Sequence, residues 1–162
     1  MAIQIYNWDI LRKYSPDISF TNSELVEVLQ KHFSVYNISN VGIIFVEDEY
    51  IHTLNKQYRK KDYITDVLSF LLGTEPLVGE VYIAPCYVSK NTSKDKFQEE
   101  ILRNIVHGIL HLMGYDHKEK FSERTINKEK MFVKQEEMLE NIKYEVNNRT
   151  GQSRYKIQKD KA

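Results

Sequence analysis

An α+β fold is what this sequence predicts: one small mixed four-stranded β-sheet packed against helices, with a buried central helix. Three observations lead there. Apolar segments alternate between strand-length runs and helical spacing in the order β-α-β-α-β-β, followed by helices. The segment from 98 to 113 is apolar nearly all round, the pattern of a helix enclosed in a core. The chain has 162 residues, of which 41% are hydrophobic and 28% charged. That is the size and composition of one soluble domain, able to bury about two thirds of its unfolded surface.

The elements follow in order. Ile3 to Tyr6 alternates as a short strand. Thr21 with Glu24 three residues on forms a capping-box pattern, and Leu25, Val28, Leu29 and Phe33 supply the apolar stripe of the helix it opens. Val41 to Val46 is a continuous β-branched and aromatic run, which predicts a central strand covered on both faces. A second helix carries Ile51, Leu54, Asn55 and Tyr58 on one side. Asp66 to Leu72 and Gly79 to Ala84 read as an antiparallel strand pair, with 73–76 as the loop between them. Gly114 is placed to stop the central helix. Ser122 to Lys143 reads as a last amphipathic helix with Met131, Met138 and Ile142 at helical spacing, and 149–162 as a frayed polar tail. No repeat or Pro/Gly/Ser linker divides the chain, so the expected organisation is a single domain over 1–148 and a basic tail over 149–162.

Composition narrows the function classes. Lys+Arg and Asp+Glu both number 23, which argues against a general coat for nucleic acid or an anionic membrane surface. That balance hides an asymmetry: 11 basic against 15 acidic side chains in 1–117, and 12 against 8 in 118–162. No run approaches the ~18 apolar residues of a membrane span, and no secretion signal is evident at the N-terminus, so the expected location is cytoplasmic. The single cysteine, Cys86, reads as a small buried hydrophobe; any metal site must be built from His and carboxylates.

Three of the five histidines fall in HGILHLMGYDH at 107–117. On a helix His107 and His111 share one face, about 6 Å apart along the axis, the separation at which two imidazoles can grip one metal ion. A turn at Gly114 would let His117 supply a third ligand, leaving a fourth position open as in catalytic zinc sites. As core residues, the three would instead need three separate buried polar partners. His32 and His52 lack such company and read as surface or half-buried residues. The spacing is that of metzincin peptidases, except that their general-base Glu is here Gly108. Metal binding survives that change, whereas amide hydrolysis loses its base. A mid-helix glycine also implies that substrate or a packed strand comes close to the backbone there. Lys56, Arg59, Lys60 and Lys61, with Tyr58 and Tyr63, form a second constellation suited to phosphates and unstacked bases if the loop faces the metal.

These motifs together resemble the bacterial YbeY family of metal-dependent endoribonucleases and rRNA maturation factors. HGILHLMGYDH matches the signature HGxLHLxGYDH; residues 54–70 match LNxxYRxKDxxTDVLSF; Gly79 to Ile83 matches the family's G-D/E-hydrophobic-x-Ile strand. The resemblance implies that His107, His111 and His117 bind one zinc ion, or another divalent metal such as nickel, and that Arg59 acts in the cleft. It further implies cleavage of single-stranded RNA in 16S rRNA 3′-end maturation and ribosome quality control, with the 16S precursor and ribosomal particles as partners. Asp116, beside the last ligand, is a candidate base or, preferably, a residue that orients an imidazole. Two rivals follow from the same residues: a metallopeptidase-like zinc hydrolase, and a non-catalytic ribosome-associated RNA-binding adaptor with a structural metal.

Overall fold

The computed structural model describes residues 1–115 and 129–148. Strand β1 (Ala2–Tyr6) leads through α1 (Trp8–Tyr14) and α2 (Asn22–Phe33) to β2 (Ile38–Phe45). Helix α3 (Asp48–Arg59) then precedes the hairpin of β3 (Val67–Thr74) and β4 (Leu77–Ile83), followed by α4 (Pro85–Lys90), a 3-10 turn and α5 (Phe97–Leu112). A further helix, α6, spans 129–148. The sheet order is β1-β2-β4-β3, with β1, β2 and β4 parallel and β3 antiparallel to β4. The fold is therefore the α+β arrangement that the sequence predicts.

Local chemistry explains the start of α2 and the end of α5. At the start of α2 the Thr21 hydroxyl accepts the Glu24 N–H at 3.1 Å while the Glu24 carboxylate accepts the Thr21 N–H at 3.3 Å, so the capping box is complete. Gly114 has φ +95°, and the N–H groups of Gly114 and Tyr115 return to the carbonyls of His111 and Leu110. This paired bond pattern closes α5 and turns the chain away from it. Val41, Ile43 and Phe45 are fully buried on the inner face of β2. On its outer face Gly42 and Ile44 are only half-buried, so the central strand is covered completely on one face rather than both.

Other expectations need correction. The β strands run on to Thr74 and resume at Leu77, so the predicted four-residue loop shrinks to Glu75 and Pro76. On the side of α3 that carries Ile51, Leu54, Asn55 and Tyr58, only Ile51 and Asn55 are buried; Tyr58 is 60% exposed and lies edge-on to Phe70 at 5.6 Å. Cys86 is half-buried on α4, a helix too short to show an apolar period, with Pro85 in its first turn. The predicted last helix is seen from 129 onward; its 122–128 portion, Asp116, His117 and the tail lie outside the described residues. Among the described residues no helix is long and apolar enough to cross a membrane.

The functional part of the fold depends on how closely α5 lies on the hairpin. A Cβ on Gly108 would fall inside the 3.0 Å that real Cβ atoms keep, against Val81 of β4, and the Gly108 carbonyl accepts the Ser69 hydroxyl of β3 at 2.9 Å. One helical turn on, Leu112 occupies the space beside Gly79 that a side chain would need, at 2.7 Å from its Cβ position. The mid-helix glycine thus answers to a packed strand. Gly108→Ala should lower stability by about 1–2 kcal/mol, overpacking exceeding the gain in helix propensity. In a denaturation double-mutant cycle, Val81→Ala should relieve that loss; strict additivity would contradict the close approach.

Candidate metal centre and its cleft

Helix α5 presents both of its histidines to one cleft of about 670 Å³, bounded by the loop after α3, by the edge strand β3 and by α5 itself. His107 and His111 are half-buried, one turn apart, with ring centroids 4.5 Å apart. Their Nε2 atoms converge to 2.9 Å. Two imidazoles sharing a tetrahedral ion at about 2.0–2.1 Å would hold these nitrogens about 3.3 Å apart, so a few tenths of an ångström separate the observed pair from a chelating one. The other ring nitrogen of His107, Nδ1, lies 2.7 Å from the Gln135 side-chain oxygen. Neutral nitrogen donors converging in this way, one of them anchored through its far nitrogen, fit a borderline divalent ion. Among the described residues no group of three His, Cys, Asp or Glu closes on a common point. The third expected ligand, His117, lies outside them.

Arg59 lines the same cleft. Its Nη2 donates to the Ser69 carbonyl at 2.5 Å and its guanidinium lies over the Phe70 ring at 5.6 Å, so the side chain is anchored although exposed. The loop that follows is held by Asn55, which is only 2% exposed. Its side-chain amide donates to the Tyr63 carbonyl at 2.9 Å, and its own carbonyl accepts the Lys61 N–H at 3.2 Å. Arg59, Lys61 and Tyr63 thereby line the cleft with His107 and His111, whereas Lys56 and Lys60 are not in its lining. Lys56 faces Asp62 at 3.9 Å, and His52, half-buried, meets the same carboxylate at 2.7 Å. His32 is equally removed from the cleft, 3.3 Å from Glu145.

The residue that the sequence reading missed is Gln135. It is 7% exposed and sits within the stripe of Met131, Met138, Leu139 and Ile142 that α6 buries against α5. A polar residue in the middle of an apolar stripe was the available signal, although only the fold shows that it faces His107. Two ion pairs dock α6 beside it: Arg103 with Glu136 at 3.0 Å and Lys143 with Glu99 at 2.8 Å.

Fold and site define a class: an α+β protein in which paired helical imidazoles and an anchored arginine open on one cleft. The comparisons specify it further. A family model described as Endoribonuclease YbeY matches residues 8–143. The endoribonuclease YbeY of Thermotoga petrophila is 38% identical over 121 residues, covering 74% of this chain and 76% of that protein. Its counterpart in Persephonella marina is 36% identical over 144 residues, covering 83% and 92%. A solution structure of a Thermotoga maritima protein superposes with a TM-score of 0.58 at 31% identity, over 91% of this chain and 93% of that one. The chain belongs to the endoribonuclease YbeY family.

The docking of α6 carries its own prediction. The Lys143 ammonium holds the Glu99 carboxyl below its ordinary value of 4.5, and the Arg103 guanidinium does the same for Glu136. Folded pKa values below the unfolded ones stabilise above about pH 4.5 and lose that contribution as pH falls through the folded values. Amide protection of 129–148 should therefore fall in acid less steeply in Glu99→Gln/Glu136→Gln than in wild type. Identical acid limbs would contradict this.

Proposed function

We propose that this chain is a metal-dependent endoribonuclease that cleaves single-stranded RNA, acting on the 3′ end of the 16S rRNA precursor and in ribosome quality control in the cytoplasm. The observation that carries the reading is that His107, His111 and Arg59 line one cleft, in a family whose members are named endoribonucleases. His107 and His111, with His117 as the third ligand, would hold one zinc ion, nickel being the alternative. When bound, such an ion supplies Lewis acidity toward phosphate and water oxygens.

The protein's own groups then do the positioning. One of the five N–H donors of Arg59 is used on Ser69, which fixes the plane of the fork and, among the described residues, leaves the others for phosphate oxygens. As negative charge grows on the phosphoryl group, a guanidinium already held in place stabilises it without reorganising. Lys61 adds positive charge in the same cleft, and Tyr63 offers a face for an unstacked base. We assign the cleaving domain to 1–148, supported by the core that α6 shares with α5. The basic segment 149–162 is read as an extension that adds general attraction to RNA.

The peptidase reading is disfavoured by Gly108 itself. Its backbone faces Val81 and Ser69, so the position at which a metzincin keeps its base is packed against strands. The adaptor reading differs in its response to chelation. A structural ion would be required for folding, whereas an open catalytic site loses activity with a modest drop in melting temperature.

The test is cleavage of a single-stranded RNA carrying the 16S 3′ end by the full chain with its metal quantified. His111→Ala should abolish turnover, and Arg59→Ala should reduce it by about 10²–10³-fold, as for loss of a transition-state donor, with the fold intact. A 2′,3′-cyclic phosphate end would identify the ribose hydroxyl as nucleophile, and a 5′-phosphate would identify water. Cleavage persisting unchanged in both variants would contradict the reading.

A further inference from the structure

Helix α6 reaches into the centre through a closed circuit of polar groups that begins and ends on α5. Arg103, one turn before His107, donates from Nε and Nη2 to the two oxygens of Glu136, each at 3.0 Å. Glu136 in turn accepts the Gln135 side-chain N–H at 3.2 Å. An amide has a donor end and an acceptor end, so its orientation is settled once one end is assigned. A carboxylate fixed by a guanidinium only accepts; the Nε2 end of Gln135 must face Glu136, and its oxygen must face His107. With an oxygen at 2.7 Å, the Nδ1 of His107 has to be the protonated nitrogen. In the neutral ring its Nε2, the atom turned toward His111, then carries the lone pair.

We propose that Gln135 is a positioning residue that locks His107 in the Nδ1–H tautomer, and that the Arg103–Glu136 pair sets the orientation of the Gln135 amide. This inference rests on the metal-dependent reading above. It makes cation affinity depend on the docking of α6, an element that contributes no ligand among the described residues. Burial strengthens the constraint: with Gln135 7% exposed, no bulk solvent replaces a lost partner, so the circuit is satisfied as a whole or becomes costly.

The experiment uses the full-length protein and two readouts other than activity: ¹⁵N chemical shifts of the His107 ring in metal-free protein, and zinc affinity by competition with a chromophoric chelator. Wild type should show the Nδ1–H form. Gln135→Leu should lose that preference and bind zinc about 10–100-fold more weakly, the usual cost of removing a partner that orients a ligand. Gln135→Glu, which still accepts from Nδ1–H, should recover most of the affinity; Glu136→Ala, which frees the amide to turn, should fall between Gln135→Leu and wild type. A predominantly Nε2–H wild-type ring, or Gln135→Leu binding zinc as tightly as wild type, would overturn the proposal. If Gln135→Leu fails to fold, the wild-type tautomer and the Gln135→Glu affinity still decide. A wild type that binds no zinc would overturn the metal reading instead, and the two failures are separable because the tautomer is read without metal.

Discussion

The contact on which the remaining architecture depends is the seating of α5 on the β3–β4 hairpin at Gly108. A helix carrying any side chain at that position would stand further from the sheet, because Val81 already occupies the space. Close seating lets the Ser69 hydroxyl reach the Gly108 carbonyl. The same strand residue presents its own carbonyl to Arg59. Ser69 therefore ties α5 and Arg59 together, one through its side chain and the other through its backbone. Displacing α5 outward would separate the imidazoles from the guanidinium, even with every functional side chain intact.

Around that contact each functional group is held from behind. Arg59 is held by Ser69 and Phe70, its loop by Asn55, and His107 by Gln135. These supports come from α3, from β3 and from α6. The cleft is consequently a property of the assembled domain, with no single segment containing it. This arrangement also reconciles a chain of zero net charge with an anionic substrate: Arg59 and Lys61 supply local positive charge in the cleft, which an overall count of charges does not reveal.

Much of the fold was legible because the corresponding signals are local. The Thr21–Glu24 capping box, the Gly114 stop and the enclosed periodicity of α5 each act within a few residues, and each is observed where expected. Helices α1 and α4, at seven and six residues, were not legible, since so short a segment shows no helical period. The exposure of Tyr58 was not legible, because its ring partner, Phe70, is brought to it by β3, a later element of the chain. In the site, the i,i+4 histidines were legible for the same local reason. The partnership of Arg59 with Ser69 and that of Gln135 with His107 were not, because strand pairing and helix docking create them across separations of 10 and 28 residues.

We propose that the α5 histidines hold a single cation in this cleft. This is tested most directly by adding zinc stepwise to metal-free protein while following the RNA cleavage rate. No cleavage is expected without metal, and the rate should rise to a break at one equivalent per chain. Full cleavage by the metal-free protein would contradict it.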